Sequence, residues 1–307
     1  MPGERVRVEV DGRALTLTHL DRVLYPSGCT KAEVVEYYSA VAGTLLTHLA
    51  DRALTLVRYP NGVAEGGFFA KNAPSGTPGW VRRSVQVMSD GELDQVLADS
   101  PATLVWLANL SAVELHIPLW TVTAETEQDG RHLCDRLVID LDPGRGAGIP
   151  ECATLALAIR GALDDDGLTA YAKTTGKHGL HLLAPIAPCP VERVVGYVKH
   201  LAEALAGAAP DLATAKLGEA QRSGRVLLDW RQNAYRFTTV APYSLRAGER
   251  PGVSTPVDWD EVAAAAAGME LVFTPDDVRE RLDRLGDLAA GVLSVPLADR
   301  PELPDRT

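Results

Sequence analysis

Residues 136–144, R-L-V-I-D-L-D-P-G, constrain this chain more tightly than any other stretch. Leu137, Val138, Ile139 and Leu141 form a short, branched apolar run that Pro143-Gly144 closes, the pattern of a strand inside a sheet. Side chains alternate across a strand, so Asp140 and Asp142 project to one face with their Cα atoms about 6–7 Å apart. Any fold this run enters must supply positive charge there, because carboxylates repel one another and an unpaired buried one is costly. One solution is a hard divalent cation, Mg²⁺ or Mn²⁺, which takes carboxylate oxygens and bridges to phosphates. The other is local: Asp142 caps the turn before Pro-Gly and Asp140 meets an arginine.

A third carboxylate favours the first solution. Residues 222–230, R-S-G-R-V-L-L-D-W, read as another apolar strand with Asp229 inside it and two arginines ahead of it. Three such carboxylates are what a two-metal phosphate site needs. Residues 175–179, T-G-K-H-G, form a tight loop between strands over 169–174 and 181–186. Its glycines let backbone approach an anion, and Thr175, Lys177 and His178 can donate to phosphate oxygens. A Gly-Lys turn also suits a plain hairpin.

The remaining pattern predicts a hairpin over 6–18 around Asp11-Gly12 and a helix from Thr30, with Glu33 completing a capping box. Val34, Tyr38, Val41, Leu45 and Leu49 give that helix one apolar face. In Gly66-Gly67-Phe68-Phe69-Ala70-Lys71, alternation puts one ring in and one ring out; the outer ring is either core or a stacking platform for a base beside Lys71 and Arg58. Helices follow over 101–110, 150–163, 191–206, 258–267 and 275–285, and strands over 55–59, 113–117 and 237–245. Glu114 and His116 share one face of the 113–117 strand. The whole reads as an α/β (α+β) protein, with mixed and antiparallel sheets flanked by helices. We expect one domain over 1–295, an N-terminal module over about 1–90 and a core over about 91–295, with 296–307 a flexible tail.

Net charge is −11, which by itself speaks against a nucleic-acid partner. Its distribution does not: residues 1–83 carry ten Lys/Arg against eight Asp/Glu, and residues 211–250 carry seven against four. A positive groove on an acidic protein is compatible with both. Cys29, Cys134, Cys152 and Cys189 make no C-x-x-C pair or zinc spacing, so reduced structural thiols are expected. No apolar run approaches membrane-spanning length and no signal-peptide core opens the chain, so the expected location is the cytoplasm.

Six motifs then stand in order: T-H-L-D-R-V-L-Y-P; R-Y-P-N-G with F-F-A-K-N-A-P; W-L-A-N-L with E-L-H; L-V-I-D-L-D-P-G; K-T-T-G-K-H-G-L-H; and T-T-V-A-P-Y-S-L-R. Together they resemble the polymerase domain of bacterial DNA ligase D, in the archaeo-eukaryotic primase superfamily, over roughly residues 14–290, here in a stand-alone form. The resemblance implies a primase-polymerase core. Asp140, Asp142 and Asp229 would be catalytic and would hold two Mn²⁺ or Mg²⁺ ions. Thr175, Gly176, Lys177 and His181 would meet the incoming NTP or dNTP, Arg246 its triphosphate, and His116 its sugar, with ribonucleotides preferred. Arg222 matches a further active-site arginine. His19, Arg22 and Lys31 would grip the 5′-phosphate of a DNA end, and Phe69 would stack on template.

The implied activity is template-directed gap filling in non-homologous end joining. Its substrate would be double-stranded DNA with gaps or 3′ overhangs and a 5′-phosphate. A Ku-type end-binding protein and a separate DNA ligase are the implied partners, near the nucleoid. An end-binding or bridging scaffold with little catalysis is the alternative. Where the family loop reads S-G-x-K-G, this chain has T-G-K-H-G, placing His178 at the usual lysine and Lys177 beside it.

Overall fold

A computed structural model describes residues 5–88, 91–123, 126–128 and 131–305. The chain folds as two compact units that interleave in sequence. One comprises Met1–Ile117, Val240–Val253 and Phe273–Arg284, and the other Pro118–Thr239, Ser254–Val272 and Leu285–Thr307. The mixed α/β architecture with antiparallel sheets agrees with the sequence expectation.

In the first unit, strands Arg5–Val10 and Arg13–Thr18 form the expected hairpin, with Val10 opposite Arg13 and positive φ at both Asp11 and Gly12. That turn geometry matches the strand twist. Thr30 caps the helix Lys31–Ala40: its backbone N–H donates to Glu33 Oε2 at 2.7 Å, and Glu33 N–H donates back to Thr30 Oγ1. The expected single helix is two, Lys31–Ala40 and Ala42–Leu49, because the backbone leaves helical geometry at Val41, two residues before Gly43. The apolar face survives the break, since Val34, Tyr38, Val41, Leu45 and Leu49 are all buried. Strand Thr55–Arg58 lies between Phe68–Ala70 and Ala112–Ile117, antiparallel to both.

The second unit is built on a six-stranded sheet. Its order is Ala213–Thr214, Val226–Leu228, Cys134–Pro143, Leu180–Cys189, Tyr171–Thr174 and Pro256–Val257. Cys134–Pro143 is the R-L-V-I-D-L-D-P-G strand. It is paired on both sides, and Leu137, Val138, Ile139 and Leu141 are buried, which explains its nearly continuous apolar reading. Helices Ile149–Asp165 and Val191–Ala208 pack on it.

Three expectations are corrected. The strand over 222–230 is only Val226–Leu228, after a short helix Glu219–Arg222, and Asp229 stands just past its end, capping the 3₁₀ turn Trp230–Asn233. The strand over 237–245 is interrupted: Thr239–Val240 and Leu245–Arg246 are separated by a turn at Pro242, which has no N–H, and Tyr243, whose φ is +65°. Residues 296–305 are packed rather than frayed. The Arg300 guanidinium donates to the Asp135 carbonyl at 2.8 Å and lies 3.1 Å from its carboxylate, both residues are buried, and Leu303 is buried as well. A buried aspartate needs such a counter-ion.

Candidate active site

Pairing places the carboxylates. Antiparallel register sets Asp140 opposite His181, and Asp142 opposite Leu227. Strand Val226–Leu228 then delivers Asp229, whose backbone N–H donates to the Asp140 carbonyl at 3.0 Å. Two glycines permit these approaches. A Cβ on Gly144 would collide with the Arg222 carbonyl oxygen, and one on Gly179 with the Leu141 carbonyl oxygen.

Each carboxylate has its own cationic or hydrogen-bonding partner. His181 Nε2 lies 3.2 Å from Asp140, Arg222 Nη2 donates to Asp142, and Arg231 holds Asp229 through two bonds of 2.8 Å. Burial raises the Asp142 pKa; Arg222 opposes this, while the negative charges of Asp140 and Asp229 add to the rise. Its bond to Asp229 pushes the Arg231 guanidinium pKa up. The local alternative differs from the one expected: Asp140 meets His181 rather than an arginine, and the arginine, Arg222, pairs with Asp142.

The donor set fits a hard divalent ion in chemistry: three carboxylates whose charges act on one another, all oxygen. Among the described residues, no group of three ligating side chains is already gathered as a cation cage. Arg222 carries a further signal, a buried Nε without a hydrogen-bond partner. Such a donor costs about 1–3 kcal/mol, which an anionic oxygen would recover.

The Thr175–Gly179 loop is organised by its own hydroxyl. Thr175 Oγ1 accepts from Lys177 N–H at 3.3 Å and Gly179 N–H at 3.1 Å, and Gly176 takes φ +71°. This turns the side chains of Lys177 and His178 outward. They line a cleft of about 640 Å³ with Asp142, Arg145, Met269 and Val272, the last two being exposed apolar side chains.

The first unit brings together His116, Arg246 and Phe69. Its hub is Glu114, which the sequence reading placed beside His116 without giving it a role. Glu114 is buried; it accepts from Ala247 N–H at 3.0 Å, lies 2.9 Å from His116 Nε2, and has Tyr59 Oη at 3.5 Å. Arg246 Nε lies 3.4 Å away as an ion pair without hydrogen-bond geometry. Burial pushes the Glu114 carboxyl up, but the His116 bond, the Arg246 charge and the Ala247 N–H outweigh it and hold the pKa at about 2. The His116 ring meets the edge of Phe69 with centroids 6.0 Å apart. Both Phe68 and Phe69 are exposed, at 48% and 66%, which corrects the expected alternation of one ring in and one out. Their three-residue strand stands at the edge of its sheet, and among the described residues neither ring is buried.

His19, Arg22 and Lys31 are linked through their backbones in this unit, and the Arg22 charge acts on Lys31. Arg22 N–H donates to the His19 carbonyl, and Lys31 N–H to the Arg22 carbonyl. Arg22 is drawn toward the Pro60 carbonyl, and Lys31 Nζ donates to the Thr18 carbonyl at 2.5 Å. Burial, with the Arg22 charge, lowers the Lys31 pKa to about 8.

With this geometry in place, comparison with known proteins is decisive. The family model of the LigD primase-polymerase domain matches residues 30–289. The chain belongs to that family. A multifunctional non-homologous end joining protein LigD from Mycolicibacterium smegmatis is 38% identical over 287 residues, covering 92% of this chain and 37% of the relative. A bifunctional LigD from Bacillus subtilis is 31% identical over 275 residues, covering 89% and 43%. The chain therefore spans well under half the length of these curated relatives. The solved polymerase domain of Mycobacterium tuberculosis ligase D in complex with DNA superposes with a TM-score of 0.85 at 36% identity, covering 94% of this chain and 99% of that one. The LigD primase-polymerase fold accordingly accounts for nearly the whole chain.

One residue in each unit, Glu114 in the first and Arg231 in the second, had no role in the sequence reading. Glu114 and Arg231 each pair with a residue that did, and the question that finds them is which charge neutralises each buried partner. For Arg231 the signal was local, two residues beyond Asp229. For Glu114 the arginine partner lies more than a hundred residues away, out of reach of any periodicity. Among the described residues, no helix is long and apolar enough to cross a membrane.

Proposed function

We propose that this chain is a metal-dependent, template-directed nucleotidyltransferase that fills gaps at 5′-phosphorylated DNA ends with ribonucleotides, in non-homologous end joining. The observation that carries this reading is the convergence of Asp140, Asp142 and Asp229 at one end of the six-stranded sheet, with Asp142 also lining the cleft of Lys177 and His178.

In this reading Asp140, Asp142 and Asp229 would hold two Mn²⁺ or Mg²⁺ ions, which would supply Lewis-acid activation of the primer 3′-hydroxyl and charge stabilisation for the pyrophosphate. The protein's own groups orient the nucleotide. Lys177 and His178 supply donors to phosphate oxygens, supported by the inward Thr175 hydroxyl that shapes their loop. Arg222 and Arg246 each present a buried Nε without a hydrogen-bond partner, which suits arginines awaiting anionic oxygens. His116 faces the sugar and His181 steadies Asp140. The exposed Phe69 ring offers a face for a template base. His19, Arg22 and Lys31 receive the terminal 5′-phosphate, whose extra charge rewards clustered cations. A DNA ligase would seal the product, and a Ku-type protein would hold the ends.

The test is primer extension on a gapped duplex bearing a 5′-phosphate, with Mn²⁺ and NTPs compared with dNTPs. Wild type extends and prefers NTPs, and Asp140→Ala extends at least about 10³-fold more slowly. No extension by wild type, or full activity in the variant, defeats the reading.

A further inference from the structure

Asp229 is held differently from its two neighbours. Its Oδ1 accepts from Arg231 Nε at 2.8 Å and Arg231 N–H at 3.3 Å. Its Oδ2 accepts from Arg231 Nη2 at 2.8 Å and Gln232 Nε2 at 3.3 Å. An ionised carboxylate offers about four lone-pair sites, so this one is saturated by its own chain. Asp140 meets His181 through Oδ1 alone and Asp142 meets Arg222 through Oδ2 alone, each leaving its second oxygen without a protein donor among the described residues.

The Asp229–Arg231 pair is the planar, two-bond fork that makes arginine–carboxylate contacts strong and directional. The fork is also releasable. The Arg231 side chain is 30% exposed, so it can turn to solvent without unpacking the core, while the backbone bond from Asp229 to Asp140 stays in place.

We propose that Arg231 is a resident counter-ion that competes with divalent metal for Asp229, so that loading the site exchanges a guanidinium for an ion. The inference rests on the reading of the three aspartates as metal ligands, and adds that this chain sets its own metal affinity through Arg231. Asp140 and Asp142 provide oxygens that an incoming ion meets first, and Asp229 joins only after its fork opens.

The experiment is Mn²⁺ titration of the full chain followed by electron paramagnetic resonance, without DNA or nucleotide. Arg231→Gln binds Mn²⁺ about tenfold more tightly than wild type, equivalent to about 1.4 kcal/mol. Arg231→Lys keeps the charge but loses the fork, and falls between the two. Arg236→Gln removes an exposed charge five residues along the chain and shifts affinity by less than about twofold, because an exposed charge is screened. Asp229→Asn weakens binding, and in its presence Arg231→Gln no longer changes the affinity. Equal or weaker Mn²⁺ binding by Arg231→Gln, where wild type binds and Asp140→Asn does not, overturns the role of Arg231 alone. Absence of saturable Mn²⁺ binding in wild type overturns the metal reading and this inference with it. Melting curves confirm that each variant is folded.

Discussion

Glu114 and His116 sit two residues apart on one strand, and their side chains meet at 2.9 Å from Glu114 Oε2 to His116 Nε2. The same carboxylate pairs with Arg246, so one buried anion positions both nucleotide contacts proposed for the first unit.

Replacing Glu114 with Gln leaves the shape but removes the charge. We expect a loss of about 1–3 kcal/mol at pH 7, as for other buried hydrogen-bonded charges. The folded pKa is depressed from 4.5 to about 2, so the charge stabilises the fold above pH 4.5, and this contribution is lost as pH falls toward 2. Urea unfolding at pH 7 and pH 3 checks this: the gap between wild type and Glu114→Gln narrows at the lower pH. The same variant raises KM for NTP by about tenfold and changes kcat less, because it loosens binding groups rather than the carboxylates.

Asp142 behaves in the opposite sense. Its carboxyl is pushed up by burial and by the charges of Asp140 and Asp229, so its ionised form opposes the metal-free fold. Asp142→Asn should therefore leave Tm unchanged or raise it by a degree or two in the absence of divalent metal, while primer extension falls by at least about 10³-fold. Differential scanning calorimetry with and without Mn²⁺, alongside the extension assay, measures both parts, and any stabilisation that Mn²⁺ gives wild type should shrink in the variant.

Lys31 supplies a pH dependence of its own. Burial and the Arg22 charge bring its pKa down to about 8, so it loses its proton as pH rises from 7 to 9. Affinity for a 5′-phosphorylated duplex should then fall by about tenfold over that range, a loss of about 1.4 kcal/mol. A 5′-hydroxyl duplex should show little change. Lys31→Arg, which keeps its charge, should flatten the profile in fluorescence anisotropy.

Much of the site was legible because local chemistry and global fold agree there. The central strand announced itself through an apolar run buried on both faces, and Thr30 with Glu33 through a cap that needs only four residues. What escaped depends on distant partners or on backbone detail. Asp229 lies beyond its strand because a 3₁₀ turn begins there, and apolar periodicity does not separate these cases. The strand expected over 237–245 fails at Pro242 and Tyr243, where a missing N–H and a left-handed φ override residue preference. The exposed pair Phe68 and Phe69 defeats alternation, because a three-residue edge strand is too short for periodicity to report which side is buried. Arg300 looked like tail composition, and only its buried partner Asp135 shows otherwise.

The interleaving of the two units also bears on how the chain is made. The first unit takes Phe273–Arg284 from late in the sequence, and the second takes Arg300, which neutralises an aspartate of its central strand 165 residues earlier. A growing polypeptide therefore cannot complete either unit when the carboxylates themselves leave the ribosome. Both units must wait, partly assembled and with apolar strands exposed, until these late segments have followed. For this protein, the central strand gains the Arg300 partner of its buried Asp135 only after nearly all of the described chain has emerged.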